Sequence, residues 1–266
     1  YLSGPLRTTL CGLSAAAGDV RVWLLGRDWS PAGIEELVGA VGGADVRHVR
    51  CDELPAGTEL LLLPELLPEA RRVTLVPPTA AVLGDFRDLT AIDLGGRPLA
   101  ARTVPGTAAA RSGFGLLHRV ASRLDGDPAA AADLHRRLAA RHWFDFDAFD
   151  IHVAVVDLDR LRADRFTTEF LPYHERFGLD AREVLNLYAG PDRVHVPPEW
   201  ANVPARERVD HPKLVHWGAG PQPWADRYVA GRAYWRRAEA AAPSQTHGDG
   251  DRSANTMSID VREVWD

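Results

Sequence analysis

The side chains that could do chemistry in this chain gather in a few short strings. Asp145-Phe146-Asp147 is followed closely by Asp150-Ile151-His152, which brings three carboxylates and an imidazole together. Such a set can hold a cation, or let His152 move a proton with Asp150 as its partner. The plainer alternative is an acidic loop. Asp157-Leu158-Asp159 directly follows an apolar run, and reads either as a metal pair or as a helix cap with a first-turn acid. Asp-x-Asp strings also occur at 125/127 and 249/251; with 24 aspartates in 266 residues such strings arise by chance, so spacing alone assigns none of them. His216 opens the loop string His216-Trp217-Gly218-Ala219-Gly220-Pro221-Gln222-Pro223-Trp224. One imidazole alone binds a metal poorly, so His216 is either a remaining ligand or an ordinary buried histidine. Trp217 and Trp224 can stack on a flat ligand or pack in a core. Arg182 is a candidate cation for a phosphate, or one half of a surface ion pair.

The elements that must position these groups alternate between strand and helix. Val20-Arg21-Val22-Trp23-Leu24-Leu25 is an apolar run stopped by Gly26, which predicts a strand. Ser30-Pro31 supplies an N-cap and a first-turn proline for a helix to about Val41. Residues 46–51 read as a second strand, 60–67 as a buried helix and 73–76 as a third strand. Asp127-Pro128 opens a helix in an Ala- and Arg-rich stretch. Residues 152–156 form a buried strand, after which Asp157 caps a helix through Phe166 and Asp180 caps another over 181–188, stopped by Gly190-Pro191. Short strands follow at 194–196 and 214–216, and a last helix at about 225–241. This alternation predicts a parallel α/β sheet.

Composition narrows the function classes. A net charge of −6 and a pI near 5.9 give no electrostatic case for nucleic acid or an anionic membrane. Lys213 is the only lysine, so positive charge is almost all arginine. No apolar run approaches the roughly 18 residues of a membrane span, no signal peptide is visible, and the expected location is cytoplasmic. Cys11 and Cys51 lack metal-ligand spacing and read as reduced core residues. Residues 242–258 are poor in hydrophobics and read as a disordered linker; 259–266 then carry Ile259, Val261, Val264 and Trp265, a segment that can dock.

Several stretches, in order, resemble family 8 glycosyltransferases, the class of glycogenin and the bacterial lipopolysaccharide galactosyltransferases. They begin with Tyr1-Leu2-Ser3-Gly4-Pro5-Leu6, then Leu63-Pro64-Glu65-Leu66-Leu67-Pro68 with Arg72-Val73. Leu83-Gly84-Asp85, Asp93-Leu94 and Leu99-Ala100-Ala101 follow, then the block from Val155 to Arg162. Leu185-Asn186-Leu187-Tyr188-Ala189-Gly190, Pro197-Pro198-Glu199-Trp200 and the His216 to Trp224 loop complete the series, over residues 1 to about 235. The resemblance implies a GT-A (Rossmann-like) α/β fold: a single domain over 1–241 with a mostly parallel central sheet flanked by helices. Such a fold binds a nucleotide sugar, usually UDP-linked, at strand C-terminal ends. In the family Mn²⁺ bridges the diphosphate to an Asp-x-Asp pair and a late histidine, and transfer retains anomeric configuration.

This chain departs from that pattern at the polar positions. The Asp-x-Asp pair falls on Pro77-Pro78-Thr79, the donor-binding Arg or Lys on Leu60, the Asn-Ala-Gly of the sugar pocket on Asp150-Ile151-His152, and the Asp-Gln of the reacting centre on Ala181-Arg182. An Asn becomes Ala201, a loop glycine Ala219, and a phosphate-contacting Lys becomes Gln222. His216 and the base-stacking Tyr1 match; the family's first strand lies outside this sequence. The expected nucleotide-sugar site is therefore Tyr1, Pro77, Pro78, Thr79, His216, Gly218, Gln222 and Trp224, with no metal cofactor. Arg182, His152 and Asp150 are the catalytic candidates. As an enzyme the protein would transfer a sugar from a UDP-sugar without metal, with Arg182, Arg72 or Arg87 neutralising the diphosphate, to an acceptor such as a secondary metabolite or peptide. The alternative is an inactive pseudo-glycosyltransferase serving as scaffold or partner subunit. A third reading is new chemistry around Asp150 and His152.

Overall fold

The computed structural model describes residues 3–17, 20–27, 29–40, 45–124, 126–218 and 220–242. Tyr1, Asp125, Ala219, the Asp-x-Asp string at 249/251, the linker at 243–258 and the segment 259–266 lie outside the described residues. In chain order the helices and strands are α1 (Ser3–Ala17), β1 (Arg21–Gly26), α2 (Pro31–Ala40), β2 (Asp45–Arg50), α3 (Leu63–Leu66), β3 (Arg72–Leu75), β4 (Ala80–Val82), α4 (Phe86–Thr90), β5 (Leu99–Thr103) and α5 (Ala108–Arg111). They continue with α6 (Gly113–Ser122), α7 (Pro128–Arg141), β6 (Phe149–Asp157), α8 (Leu158–Ala163), α9 (Phe166–Phe177), α10 (Ala181–Ala189), β7 (Val194–His195), β8 (Leu214–His216) and α11 (Arg232–Ala241). Contacts divide the described chain into two compact units that interleave along the sequence.

The first unit takes the described residues within 1–53, 77–87 and 202–266. β1 and β2 pair in parallel from Arg21↔Asp45 to Gly26↔Arg50. α1 lays Leu6 and Leu10 against Leu24 and Leu37, with Val22, Trp29 and Val46 at the margin. β4 and β8 run antiparallel, Ala80 opposite His216 and Val82 opposite Leu214. A second cluster joins Ala81, Val215, Trp217, Trp235 and Ala238, so that α11 is fastened by its aromatic face. α11 starts at Arg232 and not near 225, because Gly231 (φ +74°) turns the chain where a Cβ would meet the Pro204 ring at 2.4 Å.

The second unit takes 54–76 and 88–201. Its four-stranded sheet has the order β3-β6-β5-β7. β6 runs antiparallel to both β3 and β5; only β5–β7 is parallel. The α/β class holds, but within this sheet the expected parallel pairing is replaced by an antiparallel centre. The apolar run of β6 reports that both its faces are covered, and coverage says nothing about strand direction. The expected caps form: Asp127 accepts from Ala130 N, Asp157 from Arg160 N, and Asp180 makes a capping box with Glu183. The expected helix at 60–67 shrinks to the single turn of α3, since prolines at 64 and 68 leave little room for a ladder. The guanidinium of Arg162 donates to the carbonyls of Pro64, Leu67 and Ala70, holding that segment in place of helix bonds. The helix expected from 158 through 166 breaks at Arg165 (φ +52°), separating α8 from α9. Cys11 and Cys51 are buried and unbridged, as expected. No helix among the described residues is long and apolar enough to cross a membrane.

Asn186 ties α10 to β6. It is fully buried, its Oδ1 accepts from Phe149 N (2.9 Å), and its Nδ2 donates to Phe149 O (3.0 Å) and Arg182 O (2.9 Å). Replacing it strands buried main-chain groups. Asn186→Ala is expected to lower stability by about 2–4 kcal/mol in urea unfolding; a loss below about 1 kcal/mol would show that those groups find other partners.

Candidate functional site

The candidate residues fall into two sets, one in each unit. In the first unit, Pro77-Pro78-Thr79 forms the turn into β4. Thr9 of α1 clamps that turn: its hydroxyl accepts from Ala80 N (3.0 Å), and its proton faces Ala80 O (2.9 Å) and Pro78 O (3.1 Å). Thr9 is 2% exposed, so this is a buried tie across 71 residues of chain. Leu83 N and Gly84 N both donate to Lys213 O, extending the β4–β8 pair. His216 sits in β8, opposite Ala80, and its N–H donates to Asn202 O (3.0 Å). It is 2% exposed.

The loop after β8 closes on itself. Gly218 turns with φ +57°, and Gln222 Nε2 donates to Gly218 O (2.9 Å) and Gly220 O (2.7 Å). Trp217 donates its indole N–H to Ala230 O (2.8 Å) and meets Trp235 edge-on at 5.9 Å; Trp224 lies 5.0 Å from the same ring. Both tryptophans therefore pack with the α11 core.

These donors do not suit a manganese ion. Two prolines offer only carbonyls and Thr79 one neutral hydroxyl, where hard divalent cations take carboxylates. Among the described residues no group of three or more His, Cys, Asp or Glu stands together to hold a metal. Arg87, one of the three expected diphosphate partners, is committed to Asp85, whose carboxyl it holds down at about 2. Arg72 donates to Ile92 O.

In the second unit, Asp150 and His152 are neighbours on one face of β6. Asp150 Oδ1 accepts the His152 backbone N–H (2.9 Å) and also pairs with His152 Nδ1. Their side chains are 15% and 20% exposed, sheltered but not fully buried. The register places Arg102, 6% exposed, directly across from Asp150, after a bulge between Ala101 and Arg102. Its guanidinium donates to Ala201 O. Sequence reading missed Arg102, because an arginine at the end of an Ala-rich run reads as a strand exit and the bulge leaves no sequence trace. Arg182, on the first turn of α10, makes only a 3.9 Å contact with Asp180, with both side chains more than a third exposed.

The acidic decoys serve the frame. Asp145 accepts from Phe114 N and Phe146 N, and its carboxyl is held below the usual range: burial raises it, but hydrogen bonds from Phe114, Ser112, Phe146 and Gly113 outweigh that. Asp147 lies 3.7 Å from Arg111. Asp159 pairs with Arg71 and Arg162. The same anchored loop presents Trp143 and Phe144 to solvent as an edge-to-face pair, Trp143 at 87% exposure. Sequence reading passed over this pair; two adjacent aromatics among acids were its only signal.

No protein-family model matches the chain, and no curated protein matches it by sequence. Solved structures do. The chain is similar to galactosyltransferase LgtC in complex with donor and acceptor sugar analogues (TM-score 0.67, 14% identity, 91% of this chain and 93% of that one). It is similar to the WbbM bifunctional glycosyltransferase in its apo structure (0.66, 13%, 91% and 48%). It is also similar to the glycosyltransferase GlyE of Streptococcus pneumoniae TIGR4 (0.60, 13%, 88% and 57%). The expected fold is the one these glycosyltransferases share.

Thr9→Val removes the clamp on the 77–80 turn while keeping volume. It is expected to cost about 1–3 kcal/mol in chemical denaturation, with Thr9→Ser recovering most of the loss. Equal losses for Ser and Val would assign the effect to packing.

Proposed function

We propose that the protein transfers a glycosyl group from a nucleotide sugar, UDP-linked by its resemblance, without a metal. The observation that carries this reading is the fold shared over 91% of the chain with a galactosyltransferase solved with donor and acceptor sugar analogues. In this reading residues 77–79, His216, Gly218, Gln222 and Trp224, with Tyr1, form the donor side, and the acceptor is a secondary metabolite or peptide. The Asp150–His152 pair supplies proton chemistry. His152 Nε2 takes the proton of the acceptor hydroxyl, that oxygen bonds to the anomeric carbon, and the sugar–diphosphate bond breaks with its electron pair leaving on the diphosphate. Asp150 steadies the imidazolium that forms. Arg182, held at 3.9 Å from Asp180, is the cation assigned to the diphosphate in this reading.

A second reading has a specific observation behind it. The donor-side segments are held by the protein itself: Thr9 of α1 fastens the 77–80 turn, and Gln222 Nε2 donates within its own loop. A pseudo-glycosyltransferase that acts as a scaffold or partner subunit needs no more than that.

Thermal denaturation with a panel of nucleotides and UDP-sugars, each with Mn²⁺ and with EDTA, separates the readings. A ligand at about 100 times its Kd adds about 2.7 kcal/mol. A shift indifferent to EDTA is expected; one that requires Mn²⁺ defeats the metal-free reading, and no shift with any nucleotide favours the scaffold. If turnover is found, Asp150→Asn and His152→Ala should each lower kcat by about 10²–10⁴-fold with little change in thermal stability. Full activity in both variants would remove the pair from the reaction.

A further inference from the structure

A cavity of about 290 Å³ opens in the second unit, lined among others by Pro98, Arg141, Arg160, Asp164, Tyr188 and Asp192. Pro98 precedes the first residue of β5, whereas Arg102, across from Asp150, lies near its last. The cavity therefore belongs to the opposite end of that strand from the Asp150–His152 pair. Its volume is near the lower bound of small-ligand sites.

Its walls are preorganised. Arg141, at the end of α7, donates Nε–H to Tyr188 O (2.8 Å), and its guanidinium plane lies 4.8 Å from the Phe170 ring and 5.2 Å from the Tyr188 ring. It makes no ion pair with a carboxylate among the described residues, so its two terminal nitrogens keep their charge for another partner. Arg160 is fixed by Asp164 Oδ2 (2.9 Å) and Gly96 O (2.8 Å) through Nε and Nη1. Asp164 Oδ2 also accepts the Tyr188 hydroxyl (2.6 Å). Burial raises the Asp164 carboxyl, but hydrogen bonds from Tyr188 and Arg160 outweigh it and keep the group ionised, while burial and Asp164 hold the Tyr188 phenol protonated. Asp164 is thus spent on orienting Arg160 and Tyr188. Asp192 at the rim is balanced by Arg97 at 3.7 Å. Two arginines and two carboxylates line the cavity, and Arg97 offsets Asp192 from outside the lining.

We infer that this cavity is a binding site for a small phosphate-class oxyanion, either free phosphate or the terminal group of a phosphomonoester. Arg141 meets it with its guanidinium fork and Arg160 adds a second contact. Stacking against two rings and one fixed hydrogen bond remove most of the entropy that an arginine ordinarily loses on binding. The inference does not depend on the reaction proposed above.

The test is calorimetric titration of inorganic phosphate into the full chain in low-salt, phosphate-free buffer near neutral pH, with a hexose monophosphate run beside it to separate the two sources. Saturable one-to-one binding is expected. Arg141→Gln should weaken it by about tenfold or more, Arg141→Lys by less, and Asp192→Asn should tighten it, since a rim carboxylate no longer opposes the anion. Asp150→Asn should leave it unchanged. Absence of saturable binding overturns the site. So does binding that ignores both Arg141→Gln and Asp192→Asn, or that is lost in Asp150→Asn. Circular dichroism reports whether Arg141→Gln folds; the rim variant carries the test if it does not.

Discussion

The structure of the second unit depends on burying most of the nine-residue strand β6 while its main-chain groups find partners. Inside a protein an unpaired amide or carbonyl costs as much as a hydrogen bond gives, so a buried strand needs partners along both edges and at both ends. β3 and β5 supply the edges. At one end, where the β5 ladder is interrupted by the bulge, the Asn186 side chain serves both the N–H and the carbonyl of Phe149. At the other, Asp157 N donates to Pro98 O while its carboxylate caps α8. Asp150 and His152 are a by-product of this frame: they are the two half-buried positions on a strand whose other residues, Asp157 aside, are buried.

Much of this frame was legible in the sequence. Caps at Asp127, Asp157 and Asp180 announced themselves because a short acceptor before an apolar period has few other uses. The late short strands and the first strand–helix–strand sequence were equally plain. What could not be read has physical reasons. α1 lacked a visible cap and charge pattern, and its role comes from Thr9, an ordinary residue until β4 is placed beside it. The direction of β6 is set by chain connection and not by its side chains. The break at Arg165 needs a left-handed arginine, which no local pattern demands. For the candidate site, the pairing of Asp150 with His152 was legible from their spacing; Arg102 was not, because a bulge chooses its face.

In the first unit, the Thr9 hydroxyl fastens the 77–80 turn and Gln222 Nε2 donates to carbonyls of its own loop. In the second unit, Asp150 and His152 stand where the resemblance implies an asparagine and a glycine, so a carboxylate and an imidazole replace neutral groups. Fold similarity at 14% identity carries the architecture, and activity does not follow from it.

The interleaving of the two units has a consequence for biogenesis. Residues 54–76 and 88–201 hold every strand of the four-stranded sheet, so that unit has all its parts before β8 leaves the ribosome. α1 and β4 emerge early, yet β4 must wait for β8, and the tryptophan cluster for α11. At ordinary elongation rates that delay is on the order of ten seconds. Throughout it β4 lacks the strand it pairs with, while α1 can already hold its turn through Thr9.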